Sequence, residues 1–159
     1  MRFLDATRRV WFVAAAAAVL LALAAAPARA QVDFGVRAGG YLEDSDPFVG
    51  LELLTRLGAS DFFFNPNIEA TFSGERDKVS GNFDFHYDFR VDPKYYLWVG
   101  AGAAVIHTEA GEGHDSSTDP GLDLLGGVGW RLQGFTPYAQ LKIVVADDSE
   151  VVAGVGIRF

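Results

Sequence analysis

The sequence predicts an all-β chain of eight antiparallel strands, running up and down and closing into a barrel. Three observations carry this. Beyond position 31, apolar residues recur at every second place in eight separate segments. Gly, Pro, Asp and Ser gather in the breaks, which is the pattern of strands and turns rather than of helices. Residues 1–30 read as a detachable leader, so the alternating part is a single domain, 31–159.

In the leader, Arg2, Arg8 and Arg9 precede an uncharged apolar run of seventeen residues from Val10 to Ala26. The run falls just short of the roughly 18 residues of a spanning helix. Pro27-Ala28-Arg29-Ala30 fits a small-x-small cleavage site, with Ala28 and Ala30 as the small residues and Gln31 as the mature N-terminus. This is the layout of a secretory signal peptide.

The strands are expected near 32–42, 48–57, 64–73, 79–91, 94–108, 120–132, 136–146 and 150–159. In the first, Phe34, Val36, Ala38 and Leu42 share one face and Gly35, Arg37, Gly39 and Tyr41 the other. The second opposes Val49, Leu51, Leu53 and Leu57 to Gly50, Glu52, Leu54 and Arg56. The third sets Ile68, Ala70 and Phe72 against Asn67, Glu69 and Thr71. The fourth alternates most cleanly, with Phe83, Phe85, Tyr87, Phe89 and Val91 facing away from Asn82, Asp84, His86, Asp88 and Arg90. In the fifth, Tyr95, Leu97, Val99 and Ala101 oppose Tyr96, Trp98, Gly100 and Gly102. In the sixth, Leu122, Leu124, Val128, Trp130 and Leu132 oppose Asp123, Leu125, Gly127, Gly129 and Arg131. The seventh opposes Ala139, Leu141, Ile143 and Val145 to Tyr138, Gln140, Lys142 and Val144. The last opposes Val151, Ala153, Val155, Ile157 and Phe159 to Val152, Gly154, Gly156 and Arg158.

One face is free of charge. The other holds most strand glycines and a polar set made of Arg37, Glu52, Arg56, Glu69, Asp84, His86, Asp88, Arg90, Asp123, Arg131, Gln140, Lys142 and Arg158. An eight-stranded barrel has an interior only wide enough for side chains to fill. The apolar face, with its many Phe, Tyr and Trp, is too bulky for that space. The charged face, interleaved with glycine, fits it. The expectation is therefore an eight-stranded antiparallel up-and-down transmembrane β-barrel, with apolar side chains towards lipid and polar ones in the lumen. Ten-residue strands match a tilted crossing of the bilayer core. Five lumen acids against six bases read as an interior network that plugs the barrel, since buried charges persist when paired. Phe89, Tyr95, Trp130 and Phe159, with Phe62, Phe63 and Phe135, are expected to form an aromatic girdle at one interface.

Composition narrows function by exclusion. The 159 residues include no cysteine, so disulfides, thiolate metal sites and thiol nucleophiles are absent. The net charge of −8 argues against nucleic-acid binding. Removing the leader, with four Arg and one Asp, leaves 9 basic and 20 acidic groups, a net charge of −11. Twelve of those acids lie in the connections proposed to face outward, among them Glu43, Asp44, Asp46, Glu112, Asp147 and Asp148, with only Arg76 and Lys78 as bases there. Such loops would bind divalent cations or attract basic partners. They lack the spacing of a defined metal loop, and no metal or cofactor site is expected.

Motifs that carry chemistry are few. Gly100-Ala101-Gly102 lacks the third glycine and the helix of a dinucleotide fingerprint. His107, His114, Asp115 and Ser116 are the one cluster that suggests a lipid-modifying hydrolase or acyltransferase. They sit in a Gly- and Ser-rich connection and match no deacylase motif, so no catalytic residues are assigned.

The sequence resembles the small eight-stranded outer-membrane β-barrels, the outer-membrane-protein-A-like and X-like transmembrane domains of Gram-negative bacteria. The resemblance spans most of 31–159 and rests on the leader, the eight alternating segments, Thr136-Pro137-Tyr138-Ala139-Gln140-Leu141-Lys142 and the ending Val155-Gly156-Ile157-Arg158-Phe159. It implies export to the outer membrane, contact with its lipids and lipopolysaccharide, recognition of Phe159 by the barrel-assembly machinery, and both termini in the periplasm. The expected role is structural or surface-interacting and non-enzymatic, in a monomer. The alternatives are a narrow porin-like channel, a soluble periplasmic ligand-binding barrel and a lipid-modifying enzyme.

Overall fold

A computed structural model describes residues 32–43, 45–71, 76–110, 116–146 and 149–159. The expected cleavage residues Ala28, Ala30 and Gln31 lie outside them, as do Asp44, Phe72, Glu75, Glu112, His114, Asp115, Asp147 and Asp148.

Eight strands follow in order: β1 Val32–Tyr41, β2 Asp46–Arg56, β3 Phe62–Thr71, β4 Arg76–Phe89, β5 Tyr95–Ala110, β6 Ser117–Trp130, β7 Thr136–Val145 and β8 Glu150–Arg158. Each pairs antiparallel with its neighbours in sequence, and β1 pairs with β8, so the sheet closes with no free edge. The seam is sealed at its end by Phe159, whose N–H donates to the Phe34 carbonyl at 2.8 Å and whose carbonyl accepts from the Phe34 N–H at 3.2 Å.

Alternation is inverted relative to a soluble barrel, as expected. Phe34, Phe83, Phe85, Leu122, Leu124, Leu141 and Val155 point outward and are each more than 40% exposed. Soluble monomers rarely expose apolar surface of that extent. This belt is the lipid-facing surface of a transmembrane barrel, and the polar side chains fill the lumen.

The two rims differ. The rim that carries Val32 and Phe159, called the terminal rim below, has three short connections at 57–61, 90–94 and 131–135. Two of them turn on glycines with positive φ, Gly58 at 66° and Gly134 at 86°, where a side chain would be strained. At the far rim β4, β5 and β6 run to 14, 16 and 14 residues, beyond the roughly 9–11 that a tilted strand needs to cross a bilayer. Asp119 and Glu109, read as connection residues, lie in these extensions.

β3 begins at Phe62, two residues before its expected start. That shift gives Phe63 inner parity. Phe62 is 51% exposed on the outside, but Phe63 turns inward, edge-on to His86 at 5.5 Å. Phe63 therefore leaves the expected girdle, while Phe89, Tyr95, Trp130, Phe135 and Phe159 face outward as expected.

Candidate functional site: the barrel interior and its mouth

Three layers fill the lumen. Nearest the far rim, Tyr41, Phe48, Val144 and Val152 form a buried apolar cluster, with Ile106 packed against it. Nearest the terminal rim, Tyr96, Trp98, Leu125 and Tyr138 form a second. Glycines on neighbouring strands make this possible. A Cβ at Gly127 would fall on the Trp98 ring, and one at Gly156 on the Tyr138 ring.

Between the clusters lies the ionic layer. Arg37 Nη2 stands 3.1 Å from Glu69 Oε1 and Nη1 3.9 Å from Glu52 Oε2. Arg158 donates to Glu52 from Nε at 2.8 Å and from Nη2 at 3.4 Å, and its guanidinium lies 4.3 Å from the Tyr138 ring centre. Lys142 Nζ reaches Glu69 Oε2 at 3.4 Å, Asn82 Oδ1 at 3.3 Å and Asp123 Oδ2 at 3.9 Å. Neutral side chains complete the network: Tyr41 donates to Glu69 at 3.1 Å, Asn65 to Glu52 at 3.2 Å, and Asn67 to Asp84 at 2.9 Å. Asp84 and Asp123 face each other from either side of Gly102, the residue that pairs with both.

The charges are sorted by strand. The buried bases Arg37, Lys142 and Arg158 come from β1, β7 and β8. The buried acids Glu52, Glu69, Asp84, Asp88 and Asp123 come from β2, β3, β4 and β6.

Most of the expected interior set is inside: Arg37, Glu52, Glu69, Asp84, His86, Asp88, Asp123, Gln140, Lys142 and Arg158 are all buried. The Gln140 amide and both ring nitrogens of His86 are buried without a hydrogen-bond partner among the described residues. Arg56, Arg90 and Arg131 differ from expectation. Arg90 and Arg131 are exposed and Arg56 is half-buried, because the strands end and the barrel opens at their level. The buried lumen thus holds five acids and three bases rather than a near-neutral five and six.

These three arginines surround a vestibule of about 690 Å³ at the terminal rim. Asp61, in the β2–β3 connection, joins two of them, its Oδ1 accepting from Arg56 Nη2 at 2.5 Å and from Arg90 Nη2 at 2.6 Å. The hydrogen bonds from Arg90 and Arg56 hold the Asp61 carboxyl below the ordinary aspartate value. Arg131 lies over the Tyr96 ring at 4.6 Å and Arg56 near the Phe63 ring at 5.7 Å.

At the far rim, His107 Nδ1 and Thr118 Oγ1 are 2.8 Å apart. Ser116 is exposed, and its proposed partners His114 and Asp115 are outside the described residues. Lys78 Nζ pairs with Glu150 at 2.6 Å. Among the described residues, no group of three His, Asp or Glu could hold a metal ion.

Sequence reasoning placed Tyr41, Asn67, Asn82, Tyr96, Trp98 and Tyr138 on the inner face but gave them no role. Their signal was parity with the charged residues, and the glycines that oppose the rings.

This chain has the fold of the small eight-stranded outer-membrane β-barrels. No family model matches the sequence, and no curated protein does. Solved structures match closely in shape. The N-terminal β-barrel domain of Pseudomonas aeruginosa OprF superposes with a TM-score of 0.64 at 15% identity, over 82% of this chain and 98% of that one. Neisserial surface protein A gives 0.62 at 16% identity, over 81% and 94%. The outer membrane enzyme PagL gives 0.54 at 12% identity, over 80% and 98%. At such identities the likeness is one of fold.

Proposed function

We propose that the chain is an outer-membrane protein of a Gram-negative bacterium, with a structural or surface-interacting role and neither a conducting pore nor an active site. The observation that carries this is the filled lumen, an ionic layer closed on both sides by packed aromatic and apolar side chains. An ion crossing it would have to break paired charges in a low-dielectric interior. The fold shared with outer-membrane barrels and the leader-like residues 1–30 support export, and insertion by the barrel-assembly machinery is part of the same proposal. Lipids and lipopolysaccharide are then its immediate surroundings. The acidic far rim is where a basic partner, or a divalent cation bridging to lipopolysaccharide, would dock.

The test is planar-bilayer recording of the purified, folded protein. The expected result is no stepped current, together with heat-modifiable gel migration of the membrane fraction. Discrete conductance steps overturn the plugged reading. A Ca²⁺ titration that leaves thermal stability unchanged overturns the cation-bridging part alone.

A further inference from the structure

We propose that the vestibule at the terminal rim is a binding site for a small zwitterion, an amino acid or short peptide with a free ammonium and a free carboxylate. Its volume of about 690 Å³ lies within the roughly 300–1,000 Å³ of small-molecule pockets. It is a blind recess, since the Tyr96, Trp98 and Tyr138 layer closes it from the ionic layer beyond.

Two charges of opposite sign line the recess without being paired to each other. One is Asp88. Its side chain is only 9% exposed, it lines the vestibule, and its Oδ1 has no hydrogen-bond partner among the described residues. His86 Nε2 stands 3.9 Å from this oxygen, beyond hydrogen-bond distance. A carboxylate oxygen withdrawn from water in this way is a strong acceptor that lacks a donor. The other is Arg131. Its guanidinium rests on the Tyr96 ring and donates only one long bond, from Nη1 to the Asp92 carbonyl at 3.4 Å. No carboxylate among the described residues lies within ion-pair distance of it. Beside it, Arg56 and Arg90 share the single Oδ1 of Asp61, and Arg56 Nε also donates to the Ser60 carbonyl at 2.8 Å.

The complement of this arrangement carries both charges. A simple anion that met the guanidiniums would also meet Asp88. A simple cation that met Asp88 would sit among three arginines. A zwitterion places its ammonium at the part of the Asp88 carboxyl that lines the vestibule and its carboxylate on the Arg131 fork, where bidentate pairing suits a carboxylate. Leu54 and Phe63 supply apolar wall to the recess.

The experiment is calorimetric titration of the full chain, folded in detergent micelles, with trialanine as the probe. N-acetyl-trialanine, trialanine amide and inorganic phosphate are the comparison arms. Trialanine is expected to bind, and each capped form to bind at least about tenfold more weakly. Asp88→Asn and Arg131→Gln are each expected to weaken trialanine by a similar factor. Arg131 is exposed, so its variant keeps the barrel testable if Asp88→Asn fails to give heat-modifiable migration. The proposal is overturned if trialanine gives no binding heat, if either capped form or phosphate binds as tightly, or if Arg131→Gln binds like the parent. Conductance tests the plugged lumen separately, so failure here leaves that reading standing.

Discussion

Arg158 grips Glu52 with two hydrogen bonds, at 2.8 and 3.4 Å, across 106 positions of sequence. The pair is fully buried and couples β8 to β2 past the intervening β1. Removing one member strands a charge in the lumen. Glu52→Gln or Arg158→Met is therefore expected to cost about 3–5 kcal/mol. Urea unfolding of the lipid-embedded protein measures it. The double variant is expected to cost less than the sum of the two, because both break one interaction.

Asp123 is the opposite case. Glu52, Glu69, Asp84 and Asp123 are all within 1% of full burial, and only Arg37, Lys142 and Arg158 answer them. Asp123 makes only a 3.9 Å contact to Lys142 and faces Asp84 across Gly102. Asp123→Asn is expected to leave stability unchanged or raise it, whereas Lys142→Met lowers it by about 3–5 kcal/mol. Paired urea curves of the two variants decide the order.

Asp61 gives the terminal rim a pH dependence. Its carboxyl, bonded to Arg90 and Arg56, sits below its ordinary value of 3.8 in the folded chain. The unfolded chain then binds a proton first as the pH falls. The stabilisation is complete above 3.8 and disappears as pH drops through the lower folded value. The group is exposed, so the effect is small. Midpoint scans from pH ~6 to pH ~2 should show a loss that Asp61→Asn makes slightly smaller, on the linkage argument.

Gly156 and Gly127 give space to rings. Gly156→Val drives a branched side chain into Tyr138, and Gly127→Val does the same to Trp98. Overpacking of this kind costs about 1–3 kcal/mol, more where the strand partner cannot retreat. The readout is the fraction of heat-modifiable protein after refolding, expected to fall for both and to stay unchanged for Gly81→Val, where a Cβ meets no atom.

Leu124 tests the lipid face. It points outward and is 55% exposed on β6. Leu124→Arg is expected to cost about 2–4 kcal/mol in a bilayer if it lies near the midplane, measured by unfolding from vesicles. A soluble barrel would tolerate the same change.

Period-two alternation made most of this legible in the sequence. β4 shows why: the Phe83, Phe85 and Phe89 face and the Asp84, His86 and Asp88 face never mix, so both the fold and the side that meets lipid follow from parity and lumen size. What parity does not carry is where a strand ends. Arg90 and Arg131 continue the inner pattern by count, but the backbone leaves the sheet before them, and they emerge at the mouth. Nor does parity carry stagger between strands. Lys142 and Glu69 meet across 73 positions because of how the closed sheet shears, and local spacing holds no trace of it. Parity likewise does not show the vestibule, which is assembled from the ends of six strands and the three connections of the terminal rim.

The sorting of lumen charges by strand also makes closure of the sheet sensitive to charge. A sheet assembled only from β2 to β6 presents Glu52, Glu69, Asp84, Asp88 and Asp123 with no buried cation against them, so its concave side is self-repelling and attracts water. Arg37, Lys142 and Arg158 belong to β1, β7 and β8, and β1 and β8 form the closing seam. The contacts of these three cations with the acids of β2 to β6 exist only in the register in which the first and last strands meet as they do here.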